Sequence, residues 1–281
     1  GHVTLLARVT PRVVATHFPQ IQSINELITE TPLNDAMITA RIRARVHQTE
    51  VPELLDPSTP FELPEADIEI DIDLENSMEA LRELELDEPI GVDRLYLYGY
   101  GIHDRTVNTD WKSAVIDTFS DYSNTEEGEF EVMSQMWNKL QEEIKRAESV
   151  GNTIKIFHYS PHEYTWWKKY ANRFVGRAGV PTLGELEIFK ANYLVDLYPL
   201  AQKYAFPAKS YSIKDLAPLA KFDWSVEMAG GANSLFKYKA AIDKDLDEAT
   251  RKQAREWLDA YNRDDVKATF AVRNYMRTLA L

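Results

Sequence analysis

Apolar and acidic positions alternate most sharply over residues 66–75, Ala-Asp-Ile-Glu-Ile-Asp-Ile-Asp-Leu-Glu. A β-strand sends successive side chains to opposite faces. A strand here therefore carries Ile68, Ile70, Ile72 and Leu74 on one face and Asp67, Glu69, Asp71, Asp73 and Glu75 on the other. Like charges in a row repel and weaken a strand. Two readings fit: an edge strand whose solvated charges discourage aggregation, or a row of oxygen ligands neutralised by a bound cation.

Before this stretch the pattern is helical, in short pieces over residues 5–17, 23–29 and 35–46. Ser23 with Glu26 three residues on has the spacing of a capping box. Pro52, Pro57, Pro60 and Pro64 among acids make residues 51–65 read as a linker. After the acidic strand and a polar stretch over 76–92, the aromatic run 94–102 predicts a second strand, and residues 113–119 a third. Phe130, Met133, Trp137, Leu140 and Ile144 recur at helical spacing and place a helix over 126–150, closed by Gly151. Residues 153–157 read as a fourth strand and 161–174 as a helix. From Thr182 onward the pattern is mainly helical, with a long final helix over about residues 248–279. Hairpin-like strands followed by strand–helix alternation predict an α/β fold, a mixed sheet flanked by helices, preceded by a small helical unit. The expected division is 1–64, helical unit and linker, and 65–281, the α/β domain.

The composition is that of an ordinary soluble protein, 44% hydrophobic and 27% charged over 281 residues. No apolar run is long enough to span a bilayer, and residues 3–14 are too interrupted by charge and proline for a signal peptide. The chain has no Cys, which excludes disulfides, thiolate metal sites and cysteine nucleophiles and fits a cytoplasmic setting. It opens Gly1-His2 rather than Met, as a segment of a longer protein would. The net charge of -13 argues at first against a nucleic-acid partner. Its distribution argues otherwise: residues 65–150 carry 7 Lys and Arg against 23 Asp and Glu, whereas residues 151–281 carry 20 against 15. A cation site beside a phosphate-holding surface would look like this, as would a chain with one acidic face.

Two further segments bear on the chemistry. Tyr261-Asn262-Arg263-Asp264-Asp265 puts Tyr261 and Asp265 one turn apart on one face of the last helix. The fourth strand runs into His158-Tyr159-Ser160-Pro161-His162-Glu163, which ends with a carboxylate at a helix start, where the macrodipole favours it. His158 and His162 suggest zinc, but little else completes a histidine-rich site, and oxygen ligands dominate. Trp166 and Trp167 offer either base stacking or core. Lys209, Lys214, Lys237 and Lys239 offer either phosphate contacts or ordinary surface charge, and the basic cluster Arg41, Arg43 and Arg45 a contact with nucleic acid or with a further domain. Asp196 is either a further acid near the site or an N-cap. Gly230-Gly231 lacks the Gly-Lys-Ser/Thr of a P-loop.

An Asp-x-Glu on the first strand, a His-x4-acid after a later strand and a Tyr-x3-Asp on the last helix, in that order, resemble the three exonuclease motifs of the ribonuclease H-like DEDD superfamily, the tyrosine marking its DEDDy branch. In finer detail residues 66–281 resemble the predicted RecB-family nucleases that carry a ribonuclease H-like 3′–5′ exonuclease domain. The stretches concerned are Asp73-Leu74-Glu75, Phe157-His158-Tyr159 with Glu163, residues 210–216 and residues 261–265. The resemblance implies that Asp73, Glu75 and Asp265 ligate two Mg²⁺ or Mn²⁺ ions, with Glu163 holding a metal directly or through water. It implies that Tyr261 orients the attacking water. Two such ions about 3.5–4 Å apart stabilise both the attacking and leaving oxygens of a phosphodiester. Glu163 stands where the pattern has Asp and Tyr159 where it commonly has Asn. Asp71-x-Asp73 shares the strand face, so the register is chosen by the Asp-x-Glu match. The implied activity is a 3′–5′ exonuclease on single-stranded DNA ends, joined to or working with a further nuclease or helicase domain. The alternatives are a catalytically weak nucleic-acid-binding module of the same fold, or an endonuclease on junctions or RNA–DNA hybrids.

Overall fold

A computed structural model gives the architecture; it describes residues 2–279 except 7, 33, 60, 78–92, 109, 111–113 and 228. In chain order the elements begin with helices α1 (Pro11–His17), α2 (Ile24–Thr29) and α3 (Asp35–Thr49) and strand β1 (Glu53–Leu54). The strands β2 (Ile68–Asn76), β3 (Leu95–Asp104) and β4 (Val115–Ser120) come next, then α4 (Glu126–Ser149), β5 (Ile154–His158), α5 (His162–Arg173), α6 (Leu183–Tyr193) and β6 (Leu194–Asp196). The remainder is α7 (Leu197–Ala201), β7 (Tyr204–Ala205), α8 (Ile213–Leu216), α9 (Gly231–Ile242) and α10 (Glu248–Leu279).

These elements form two compact units. One comprises Gly1–Leu63, Leu197–Phe222 and Ala271–Leu281, the other Pro64–Asp196 and Asp223–Phe270. In the first, Val3, Phe18, Ile24, Leu27, Met37 and Ala44 bury a small core between α1, α2 and α3. The capping box at Ser23 and Glu26 is present. The expected helix over 5–17 is shorter: Arg8 takes a left-handed φ of 61°, and Pro11, preceded by the capping Thr10, restarts the chain as α1. The proline-rich stretch is not wholly linker, since Glu53 and Leu54 pair antiparallel with Ala205 and Tyr204.

The second unit is a five-stranded mixed sheet of order β4-β3-β2-β5-β6. Here β2 runs antiparallel to β3 and parallel to β5, and β5 is parallel to β6. Ile68, Ile70, Ile72 and Leu74 pack with Met133, Met136, Trp137, Leu140 and Ile144 of α4 and with Trp166, Trp167 and Tyr170 of α5. Complete burial of apolar side chains of this size contributes about 1.5–3 kcal/mol each. Trp166 and Trp167 are both fully buried, so both belong to the core rather than to a stacking surface. The acidic strand is thus central, not an edge: Glu69 and Asp71 are buried, and Glu69 meets the guanidinium of Arg105 at 3.2 Å. The short strand β6 was hidden in a stretch that reads as helical. Ser113, the expected start of the third strand, lies outside the described residues; β4 itself begins at Val115.

Candidate metal centre

Three of the expected ligands meet. Carboxylate oxygens of Asp73, Glu75 and Asp265 lie within 4.8 Å of one another, although Asp265 stands far along the chain on α10. The sheet register explains how the helix comes so close. Asp73 is paired with Gly99 on β3, and a Cβ placed on Gly99 would sit 2.1 Å from the amide oxygen of Asn262 and 3.0 Å from Val266. A Cβ on Gly101 would come within 3.1 Å of Val266. The Gly-Tyr-Gly of β3 therefore leaves the space into which α10 settles.

Two side chains that the sequence did not single out hold these carboxylates. The amide Nδ2 of Asn262 donates to Asp73 Oδ2 at 2.7 Å. A carboxylate accepts only from the NH₂ end of the amide, so the oxygen of Asn262 faces Gly99, buried and, among the described residues, without a hydrogen-bond partner. An unsatisfied buried acceptor costs about 1–3 kcal/mol, a penalty set against the orientation of Asp73. On the other side the indole N–H of Trp224 donates to Asp265 Oδ1 at 2.7 Å. The neighbouring Asp264 faces away from the cluster, accepting from the backbone N–H and hydroxyl of Ser225.

Tyr261 is buried, stacks on Trp257 with ring centroids 5.2 Å apart, and hydrogen-bonds Asp265. Burial, followed by the charges of Asp265, Glu75 and Asp73, raises its pKa far above that of a free phenol. Tyr261 is therefore a protonated donor, not a base.

Glu163 lines a cleft of about 430 Å³ together with Asp73, Tyr159, Ser160 and His162, but does not join the three-carboxylate cluster. It is buried at the start of α5, and its Oε2 lies 3.1 Å from Nδ1 of His158, which also reaches the carbonyl of Ser160 at 2.6 Å. Burial alone would lower the pKa of His158. The hydrogen bond and charge of Glu163, helped by Asp196 and the Ser160 carbonyl, outweigh it and raise the pKa. Ser160 has a φ of 113°, a conformation L-residues rarely adopt, and its N–H is held by Asp196 Oδ1 at 3.0 Å. Asp196, at the end of β6, thus braces the loop that carries Glu163. His162 bonds the side-chain oxygen of Asn76 at 3.0 Å. Neither histidine joins a cluster of metal-binding side chains among the described residues.

All of these groups stand where the parallel strands β2 and β5 deliver their carboxyl ends, the usual location for ligands on such sheets. Three converging carboxylates form a hard oxygen donor set that suits Mg²⁺ or Mn²⁺ and not a thiophilic metal. Among the described residues no helix is long and apolar enough to cross a membrane.

No curated protein and no solved structure matches the chain significantly. Residues 100–277 do match a family, described as the RNase H superfamily; the match takes in Glu163, Tyr261 and Asp265, while Asp73 and Glu75 lie just before it on β2. With well over half of its length matched and its mixed sheet carrying an acidic cluster under the last long helix, the chain belongs to the RNase H superfamily.

Proposed function

We propose that this protein is a divalent-metal-dependent phosphodiesterase that removes nucleotides from the 3′ end of single-stranded DNA. The observation that carries the reading is the convergence of Asp73, Glu75 and Asp265, with the phenol of Tyr261 bonded to one of the three. Asp73, Glu75 and Asp265 would hold Mg²⁺ or Mn²⁺, and Glu163 would contribute from across the cleft, directly or through water. When bound, such ions neutralise charge on the attacking and leaving oxygens and lower the pKa of the nucleophilic water. The chain's own groups do the positioning. Asn262 and Trp224 fix the directions of Asp73 and Asp265. His158 fixes Glu163, and Tyr261, kept protonated, directs its O–H toward an oxygen acceptor. The 3′–5′ polarity and the exonucleolytic mode rest on the resemblance of the three motifs to the DEDDy exonucleases.

The test is hydrolysis of a 5′-labelled single strand with Mn²⁺, compared among wild type, Asp73→Asn and Tyr261→Phe. Wild type should shorten the strand stepwise from its 3′ end, and Asp73→Asn should abolish this in a folded protein. Tyr261→Phe should slow single turnover toward the low end of the ~10²–10⁴-fold typical of such groups while leaving Mn²⁺ binding unchanged. Cleavage only at internal positions would replace the exonuclease reading with an endonuclease. Full activity in Asp73→Asn would remove the metal centre from the reaction.

A further inference from the structure

The first compact unit contains a second feature with no part in the acidic centre. The three arginines of α3 have different surroundings. Arg45 pairs with Glu53 at 2.5 Å, and Arg41 donates to the carbonyl of Glu30. Arg43 alone is buried, 8% exposed, and its guanidinium donates to the phenol oxygen of Tyr211 at 2.6 Å. Tyr211 in turn donates to the carbonyl of Tyr204. Arg8 lies 5.0 Å above the ring of Tyr211 and donates to the phenol of Tyr198. Among the described residues no carboxylate pairs with Arg8, Arg43, His47 or Lys209. Arg43, His47 and Lys209 line one cleft of about 160 Å³ walled by Leu6, Phe206 and Pro207, and among the described residues no acid lines it.

A buried guanidinium without a counter-charge is costly. Of the chain's 45 acids, none among the described residues lines this cleft. The unit as a whole carries 11 Lys and Arg against 8 Asp and Glu, whereas the other carries 21 against 37. We propose that the cleft between Arg43, His47 and Lys209 is a binding site for a phosphate group. The planar fork of Arg43 matches phosphate oxygens, its orientation is fixed by Tyr211, and Lys209 and His47 supply donors from the open side. The apolar walls keep the pocket low in dielectric, which strengthens each charged contact. That the phosphate comes from a nucleic-acid backbone rests on the proposed function; the pocket itself does not.

The experiment uses the full chain in EDTA, so that no strand is cut. It compares wild type with Arg43→Met, Lys209→Ala and His47→Ala, the last two at exposed positions where folding should be retained. Binding is read by anisotropy of a labelled oligothymidylate over a salt series and by calorimetry with inorganic phosphate. Arg43→Met should weaken binding about tenfold or more, as expected for a charged hydrogen bond. Lys209→Ala should lower the log–log salt slope by about 0.7 for the phosphate contact it loses. If the variants lose strand affinity, the pocket holds a backbone phosphate; if they lose only the heat of inorganic phosphate, it holds a free one. Unchanged binding of both in Lys209→Ala and His47→Ala would overturn the site. Hydrolysis of bis(p-nitrophenyl) phosphate, a small diester that reports on the metal centre alone, is measured separately with Mn²⁺ in place of EDTA. Its absence in wild type would sink the nuclease reading without touching the pocket.

Discussion

Asn262 is a buried residue with half of its amide left unsatisfied, beside a carboxylate that a metal would need held still. Removing such a supporting bond typically costs about 10–100-fold in metal affinity. Asn262→Ala should therefore weaken Mn²⁺ binding by that order in calorimetry while the helical signal in circular dichroism stays as in wild type. An unchanged Mn²⁺ affinity would reduce Asn262 to packing. The meeting of Asp73, Glu75 and Asp265 was anticipated through the resemblance of Asp-x-Glu and Tyr-x3-Asp to exonuclease motifs; spacing alone put Asp71, Asp73 and Glu75 on one strand face and Tyr261 and Asp265 on one helix face. Asn262 and Trp224 were not. Their role depends on which residue of β3 faces which turn of α10, and no local pattern encodes that pairing. Glu163 was legible as an acid at a helix start, but neither its burial nor its partner His158, whose ring was weighed as a metal ligand.

Among the elements, β2 and α10 are joined through the glycines of β3. Any side chain at position 99 meets the Asn262 amide and Val266, and overpacking of this kind typically costs about 1–3 kcal/mol. Gly99→Ala should lower the urea midpoint by a corresponding amount, and Asn262→Ala should relieve part of the loss. A double-mutant cycle reads the coupling directly, and strictly additive effects would separate the glycine from the helix. The strands with period-two patterning, β2 and β3, could be located from sequence, as could the long amphipathic helices α4 and α10. The three residues of β6 could not, because Leu194-Val195-Asp196 follows α6 with no breaker and is too short to show alternation. The end of α3 was set three residues early, at its last apolar position. The helix continues to Thr49 and stops where Glu50 takes a left-handed φ of 57°.

For the molecule as a whole, three carboxylates gathered within 4.8 Å store repulsion that a cation would release. Mn²⁺ at 100 times its dissociation constant should stabilise the native state by about 2.7 kcal/mol, visible as a higher Tm than in EDTA. Glu75→Gln should melt higher than wild type in EDTA and gain less from Mn²⁺. Equal gains in the two proteins would place the ion elsewhere. The order of the chain adds a temporal consequence. Asp265 follows Glu75 by 190 residues, and β1 waits for β7 across a similar stretch before its ladder can close. During synthesis the ribosome releases α1, α2 and α3 first, yet the carboxylate triad has only two members until α10 has emerged. A chain still being translated therefore lacks the complete donor set, and any capacity of these carboxylates to hold a cation together is withheld until nearly all of these residues have been made.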